Sequence, residues 1–204
     1  QREIAGQLVS VVTSRHGEVH LINDGGRGGF MLCRSCGRMD QRRTTKGKKS
    51  SDWQHQRPGT KHNCRSTAWD AVSLGHRYRT DVVEVRLDID ATYTDYLSAV
   101  NAVLAALPAI GIHRTDVRGM LRTYKAGKPP SLVLVDAVPG GAGHANRISE
   151  ELETLLTHAA TKAANCECSI ETSCYVCLRS YENQRIQDDL TRQGALKVLT
   201  AFGT

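Results

Sequence analysis

The chain has 204 residues, 40% hydrophobic and 24% charged, with a formal charge of +6. These proportions are those of a soluble globular protein, and a chain of this length buries ~70% of its unfolded surface, so disulfides are not needed for folding. No run approaches about 18 apolar residues, which excludes a transmembrane helix, and no signal peptide is visible. A cytoplasmic location is therefore expected. Gln1 in place of an initiator methionine is expected of a piece of something longer.

In chain order, residues 7–14 read as a strand. Residues 18–22 and 29–33 read as a hairpin around the Gly-rich stretch 23–28. Residues 37–62 lack apolar periodicity and read as a loop module. Residues 69–75 and 80–89 alternate as strands, with Gly75-His76-Arg77-Tyr78 as the turn between them. The period then changes: Tyr96, Val100, Val103, Leu104 and Leu107 mark a helix capped by Thr94 or Asp95 and ended near Pro108 and Gly111. Residues 112–124 are ambiguous between strand and helix. Residues 131–138 form a near-continuous apolar strand. A Gly-rich loop, Pro139 to Gly143, precedes a long helix to about residue 164. A last helix is expected from Asp188 to Phe202. The order of elements predicts an α+β fold: a mixed, largely antiparallel sheet with packed helices and one or two structural zinc modules. The expected organisation is N-terminal strands over 1–32, an inserted basic zinc-knuckle module over 33–64, and an α+β domain over 65–204.

The charge is concentrated. Between Arg34 and Lys61 nine basic residues face two acidic ones, a net of +7, while the rest of the chain has 18 basic and 19 acidic residues. Such a block attracts polyanions, nucleic acid above all. The plainer reading is a solvated loop kept soluble by its charge. Arg42, Arg43, Lys46, Lys48 and Lys49 are the candidate phosphate contacts, with Arg77, Arg79 and Arg147 outside the block. Trp53, inside it, is placed to stack on a base or to pack on its own loop.

Seven cysteines divide into two groups. Cys166, Cys168, Cys174 and Cys177 place four thiolates within twelve residues, and the Cys-x-x-Cys pair forms a tight knuckle aimed at one ion. Zinc is favoured over two disulfides, a redox pair or an iron–sulfur cluster. Cys33, Cys36 and Cys64 need a fourth ligand. His62, two residues from Cys64, is the first candidate and His55 the reserve. A metal closing the ends of a segment with no core of its own is physically sensible, so a second zinc is expected. Free buried thiols are the alternative.

The loop after Val135-Asp136 is neither a Walker A nor a Gly-x-Gly-x-x-Gly loop. It reads either as a phosphate cradle at a helix N-terminus, near His144 and Arg147, or as a turn needing glycine for backbone reasons. Asp136 with His144 or His76 makes a weak acid–base set. No hydrolase or helicase-motor motif is present, and closed zinc sites are structural, so the chain is not expected to be an enzyme.

Three blocks carry a family resemblance: Gly75-His76-Arg77-Tyr78-Arg79-Thr80-Asp81-Val82-Val83, then Val135 to Gly143, then Cys166 and Cys168 followed by Cys174-Tyr175-Val176-Cys177-Leu178-Arg179-Ser180-Tyr181-Glu182-Asn183-Gln184. In this order and spacing they resemble the MrfA-type zinc-binding (MZB) domain of superfamily 2 DNA helicases, over residues 69–200. The third block is similar to defence-type members such as the DrmB protein of the DISARM anti-phage system. The resemblance implies zinc at Cys166, Cys168, Cys174 and Cys177. It also implies an accessory domain that helps an ATP-dependent helicase motor, on the same or a separate chain, engage DNA in anti-phage defence or DNA repair. The alternative is a protein-interaction scaffold that docks on a helicase partner without touching DNA.

Overall fold

The computed structural model describes residues 1–4, 6–25, 29–41, 54–125 and 127–202. The chain forms two compact units, one of Gln1–Glu18 with Arg79–Thr204 and one of Val19–Tyr78. The fold is α+β, and the strand pairings described are antiparallel.

A five-stranded sheet has the order β1 (Arg2–Ile4), β2 (Gln7–Asn23), β8 (Leu74–Leu87), β10 (Ser131–Asp136), β9 (Val117–Arg122). The ambiguous stretch after residue 112 thus resolves as an edge strand, paired Ser131↔Arg122 through Asp136↔Val117. Helix α1 (Tyr93–Ala106) packs on β9 and under α3 (Leu152–Ala164) and α4 (Arg192–Leu199). Being covered on both sides, it is buried almost all round, from Tyr96 to Ala106 apart from Leu97. Its cap is Thr92, whose hydroxyl accepts from Asp95 N–H while the Asp95 carboxylate accepts from Thr92 N–H, a capping box starting two residues earlier than expected. Gly119 on β9 is required by this packing: a Cβ there would stand 2.8 Å from a Val100 methyl.

The expected long helix is two helices, α2 (His144–Glu150) and α3, kinked at Glu151 (φ −101°, ψ 24°). The last helix starts later than expected. Residues Tyr181–Asp189 wind as a 3₁₀ helix, and α4 begins after Thr191, whose hydroxyl accepts from Gly194 N–H.

In the unit Val19–Tyr78, β3 (Phe30–Cys33) lies between β4 (Met39–Gln41) and β7 (Trp69–Val72), and β5 (His55–Gln56) pairs with β6 (Asn63–Cys64). The expected hairpin of 18–22 with 29–33 does not form: β3 pairs with β4 and β7 instead. Gly29 (φ 114°) lets the chain press on β7, where a Cβ would meet the Val72 carbonyl at 3.0 Å. The expected turn at Gly75–Tyr78 is strand as well, with the His76 and Tyr78 rings stacked at 5.5 Å on one side of it.

Two candidate metal centres and the basic block

Cys166 and Cys168 follow the end of α3, and Cys174 and Cys177 sit on the next turn, where Leu178 and Arg179 N–H both donate to the Cys174 carbonyl. The sequence's four thiols are thereby brought within 4.8 Å of one another. Their Sγ separations are 3.6 Å (166–168), 3.5 Å (166–174), 3.8 Å (168–177) and 3.8 Å (174–177). A tetrahedral zinc with Zn–S of ~2.3 Å requires an edge of ~3.8 Å, whereas a disulfide requires ~2.05 Å. The four sulfurs therefore fit one ion. The protein prepares unequal thiols. Burial opposes ionisation of Cys174, but backbone N–H groups of Cys177 and Val176 outweigh it and lower its pKa to about 7. Burial and the neighbouring thiols push Cys177 up to about 12. A bound cation would supply the charge that lets both ionise.

Residues that sequence reasoning passed over hold this loop on the helices. Arg192, 7% exposed, donates from Nε to the Ala163 carbonyl (2.8 Å), from Nη2 to Ala164 (2.8 Å) and from Nη1 to Cys168. It closes the open carbonyls at the end of α3 and ties them to a candidate ligand. Arg114 donates to the carbonyls of Leu178 (2.8 Å) and Arg179 (3.1 Å), and its burial lowers its pKa. Asn183 donates to the Leu178 carbonyl (2.9 Å) and to Asn101 on α1 (2.8 Å). Most of these contacts join residues between 24 and 82 positions apart, which local pattern does not report.

The second cluster is Cys33, Cys36, His55 and Cys64. Cys33 ends β3, and Gly37 (φ 71°) turns the chain so that its N–H donates to the Cys33 carbonyl at 3.0 Å. Cys33 and Cys64 Sγ stand 3.8 Å apart, and Cys36 Sγ lies 3.2 Å from His55 Nε2. Burial opposes ionisation of Cys33, yet the N–H groups of Cys36 and Ser35 bring its pKa down to about 6. Three sulfurs and one imidazole nitrogen at these distances suit a closed zinc site.

His62, the first candidate from sequence, is not in this group. It is exposed, and its carbonyl accepts from Arg57 N–H in the turn of the β5–β6 hairpin. The reason is register: His55 faces Cys64 directly across the ladder, so both side chains share a face. The signal was available in Pro58-Gly59, a turn pair with Gly59 at φ 71°, which folds 55–56 back on 63–64. The Trp69 ring closes the other side of His55 at 4.5 Å between centroids.

Of the basic block, Arg42, Arg43, Lys46, Lys48, Lys49 and Trp53 lie outside the described residues. Within the described part, Arg34 forms an ion pair with Asp70 (2.5 Å), holding that carboxyl below its usual range, and Arg38 pairs with Asp40 (3.0 Å). Arg57 and Lys61 are exposed. Arg77 and Arg79 are exposed on β8. Arg147 shares its charge with Glu151 at 2.9 Å and covers Gly111.

The Gly-rich loop is already occupied by the protein's own carboxylates. Asp136, fully buried, accepts from the N–H groups of Ala142 (2.6 Å), His144 (3.1 Å) and Ala145 (2.8 Å). Asp81 accepts from Gly143 N–H (3.1 Å) and sits where a Cβ on Gly141 would fall, 2.6 Å from it. The donors that would cradle a phosphate at the start of α2 are thus used internally, and the glycines are there for close approach. The same bonds remove Asp136 from the acid–base set.

No helix among the described residues is long and apolar enough to cross a membrane. Residues 99–178 match the model of the MZB family, the MrfA Zn-binding domain. The Druantia protein DruE of Escherichia coli (strain UMEA 4076-1) is 29% identical over 84% of this chain and 10% of its own length. A crystal structure of the DUF1998 helicase MrfA bound to DNA shares the fold, with a TM-score of 0.50 and 15% identity, over 97% of this chain and 25% of that one. The chain thus spans about a tenth of DruE and a quarter of the MrfA chain.

Proposed function

We propose, on the premise that residues 99–178 form an MZB-type domain, that this chain is an accessory zinc-binding module supporting DNA engagement by an ATP-dependent helicase motor, in anti-phage defence or DNA repair. The motor is on the same or a separate chain, and the setting is cytoplasmic. Zinc is held by Cys166, Cys168, Cys174 and Cys177, and by Cys33, Cys36, His55 and Cys64. Both sites use all the positions of a tetrahedron for protein ligands, so the metal acts on structure rather than as a Lewis acid.

The observation that carries the reading is charge segregation. Nine basic residues fall in the 28 residues from Arg34 to Lys61, a stretch flanked by Cys33 and Cys64 of the second cluster. Lysines and arginines concentrated in sequence in this way displace counterions from phosphates. The likeness of the fold to that of MrfA, whose crystal structure is of a DNA-bound form, supports the same ligand class. The test is fluorescence anisotropy with labelled single- and double-stranded oligonucleotides over a salt series. Affinity falls steeply with salt, and charge reversal at Arg42, Arg43, Lys48 and Lys49 removes most of it while metal content stays unchanged. Affinity insensitive to salt contradicts the reading.

A further inference from the structure

Tyr175 and Val176 are the two residues between Cys174 and Cys177, and they are 64% and 65% exposed. Tyr181, just beyond, is 83% exposed. Gln187 donates from Nε2 to the Ser180 carbonyl (2.8 Å) and to the Tyr175 hydroxyl (3.4 Å), so the knuckle tip and the start of the 3₁₀ segment form one patch. Two exposed aromatics and a valine on a cross-linked turn are costly to leave in water. A tyrosine ring also has only two side-chain torsions, so covering it loses little side-chain entropy.

The surroundings are acidic. Glu167, Glu171, Glu182 and Asp188 are exposed, and among the described residues none of them is in an ion pair. From Cys166 to Asp189 five acidic residues face two basic ones, a net of −3 opposite in sign to the block at Arg34–Lys61, and the partly buried Arg114 and buried Arg192, which donate to carbonyls of this segment, reduce it to −1. A phosphate backbone finds no net positive charge here, although tyrosines stack well on bases. A second copy meeting this patch with the same patch would set like charges together.

We propose that the tip of the C-terminal knuckle is a protein-docking surface, and that its occupant is a partner protein presenting an apolar centre with a basic rim. Tyr175, Val176 and Tyr181 supply the buried anchors. Glu182 and Asp188 select the partner by charge. This surface is built from other residues than the basic block, so the failure of DNA binding at that block leaves it standing.

The test places the photo-crosslinking residue p-benzoylphenylalanine at Tyr181 of the full chain in its native host, with the same residue at Tyr93, 53% exposed on α1, as control. Crosslinked peptides are identified by mass spectrometry. The expected product is a peptide of another protein with lysine or arginine flanking apolar residues. It is expected to disappear in the Glu182→Lys, Asp188→Lys variant, which keeps its metal content, and to persist when Arg42 and Arg43 are reversed in charge. A crosslink to nucleic acid, to a second copy, or to a peptide without basic residues overturns the proposal. So does one that survives the reversal at Glu182 and Asp188, or a yield no higher than at Tyr93.

Discussion

The two cysteine clusters have nearly the same chemistry and stand in opposite surroundings. Cys177 is part of the main hydrophobic core, and Cys166, Cys168 and Cys174 pack against it. That core lies wholly in the unit of Gln1–Glu18 and Arg79–Thr204. In the unit Val19–Tyr78, the buried hydrophobic residues among those described are Val19, Cys33 and Cys64. Two of these three are candidate ligands. Among the described residues, one metal centre is thus attached to a core, and the other takes the place of one. A small unit that cannot bury enough apolar surface needs such a cross-link, whereas a loop docked on packed helices needs it to fix geometry.

The comparison breaks most visibly when zinc is removed. Chelation, or Cys36→Ser, is expected to abolish hydrogen-exchange protection across Val19–Tyr78 while the strands β9 and β10 and helix α1 keep theirs. Equal loss in both units would show that the second cluster is no substitute core. Arg192→Met comes next. It keeps the bulk but leaves three carbonyls without their charged donor, so it is expected to destabilise the helical unit by ~3 kcal/mol, read as a lower midpoint in urea with the metal of Cys33, Cys36, His55 and Cys64 retained. Asp136→Ala frees three amides at the start of α2 and is expected to cost ~2 kcal/mol. It should create no phosphate affinity in a titration with inorganic phosphate, since Asp81 still fills the loop.

The smallest effect concerns pH. Burial raises the Glu84 pKa, but hydrogen bonds from Tyr124 and Ser131 and the charge of Arg122 more than offset it, leaving the value below the ordinary one. A carboxylate depressed in the folded state adds stability above its unfolded pKa, and that stability is lost as pH falls through the folded one. Glu84→Gln is therefore expected to flatten the acid limb of the stability profile below about pH 4.5 and to leave the metal sites alone.

Much of this was legible in the sequence where the signal is local. The period of α1, the apolar run of β10 and the spacing from Cys166 to Cys177 each report on neighbours a few residues away. What escaped depended on distance or parity. His55 and His62 are equally histidine, and only the register of a two-residue ladder decides between them. The strand through Gly75–Tyr78 was hidden because glycine beside aromatic and basic residues reads as a turn. The clamp of Arg192 on residues 163–168 joins segments more than 20 residues apart. The sequence offers Asp136 only a weak acid–base set, and its three amide partners show that it instead holds the loop at the start of α2.

The most direct measurement is zinc per chain by native mass spectrometry, on protein purified without added metal, for the wild type, His55→Ala and His62→Ala. The account predicts two zinc ions for the wild type and for His62→Ala, and one tightly held ion for His55→Ala. A single ion in the wild type, or loss of an ion with His62→Ala but not with His55→Ala, would contradict it.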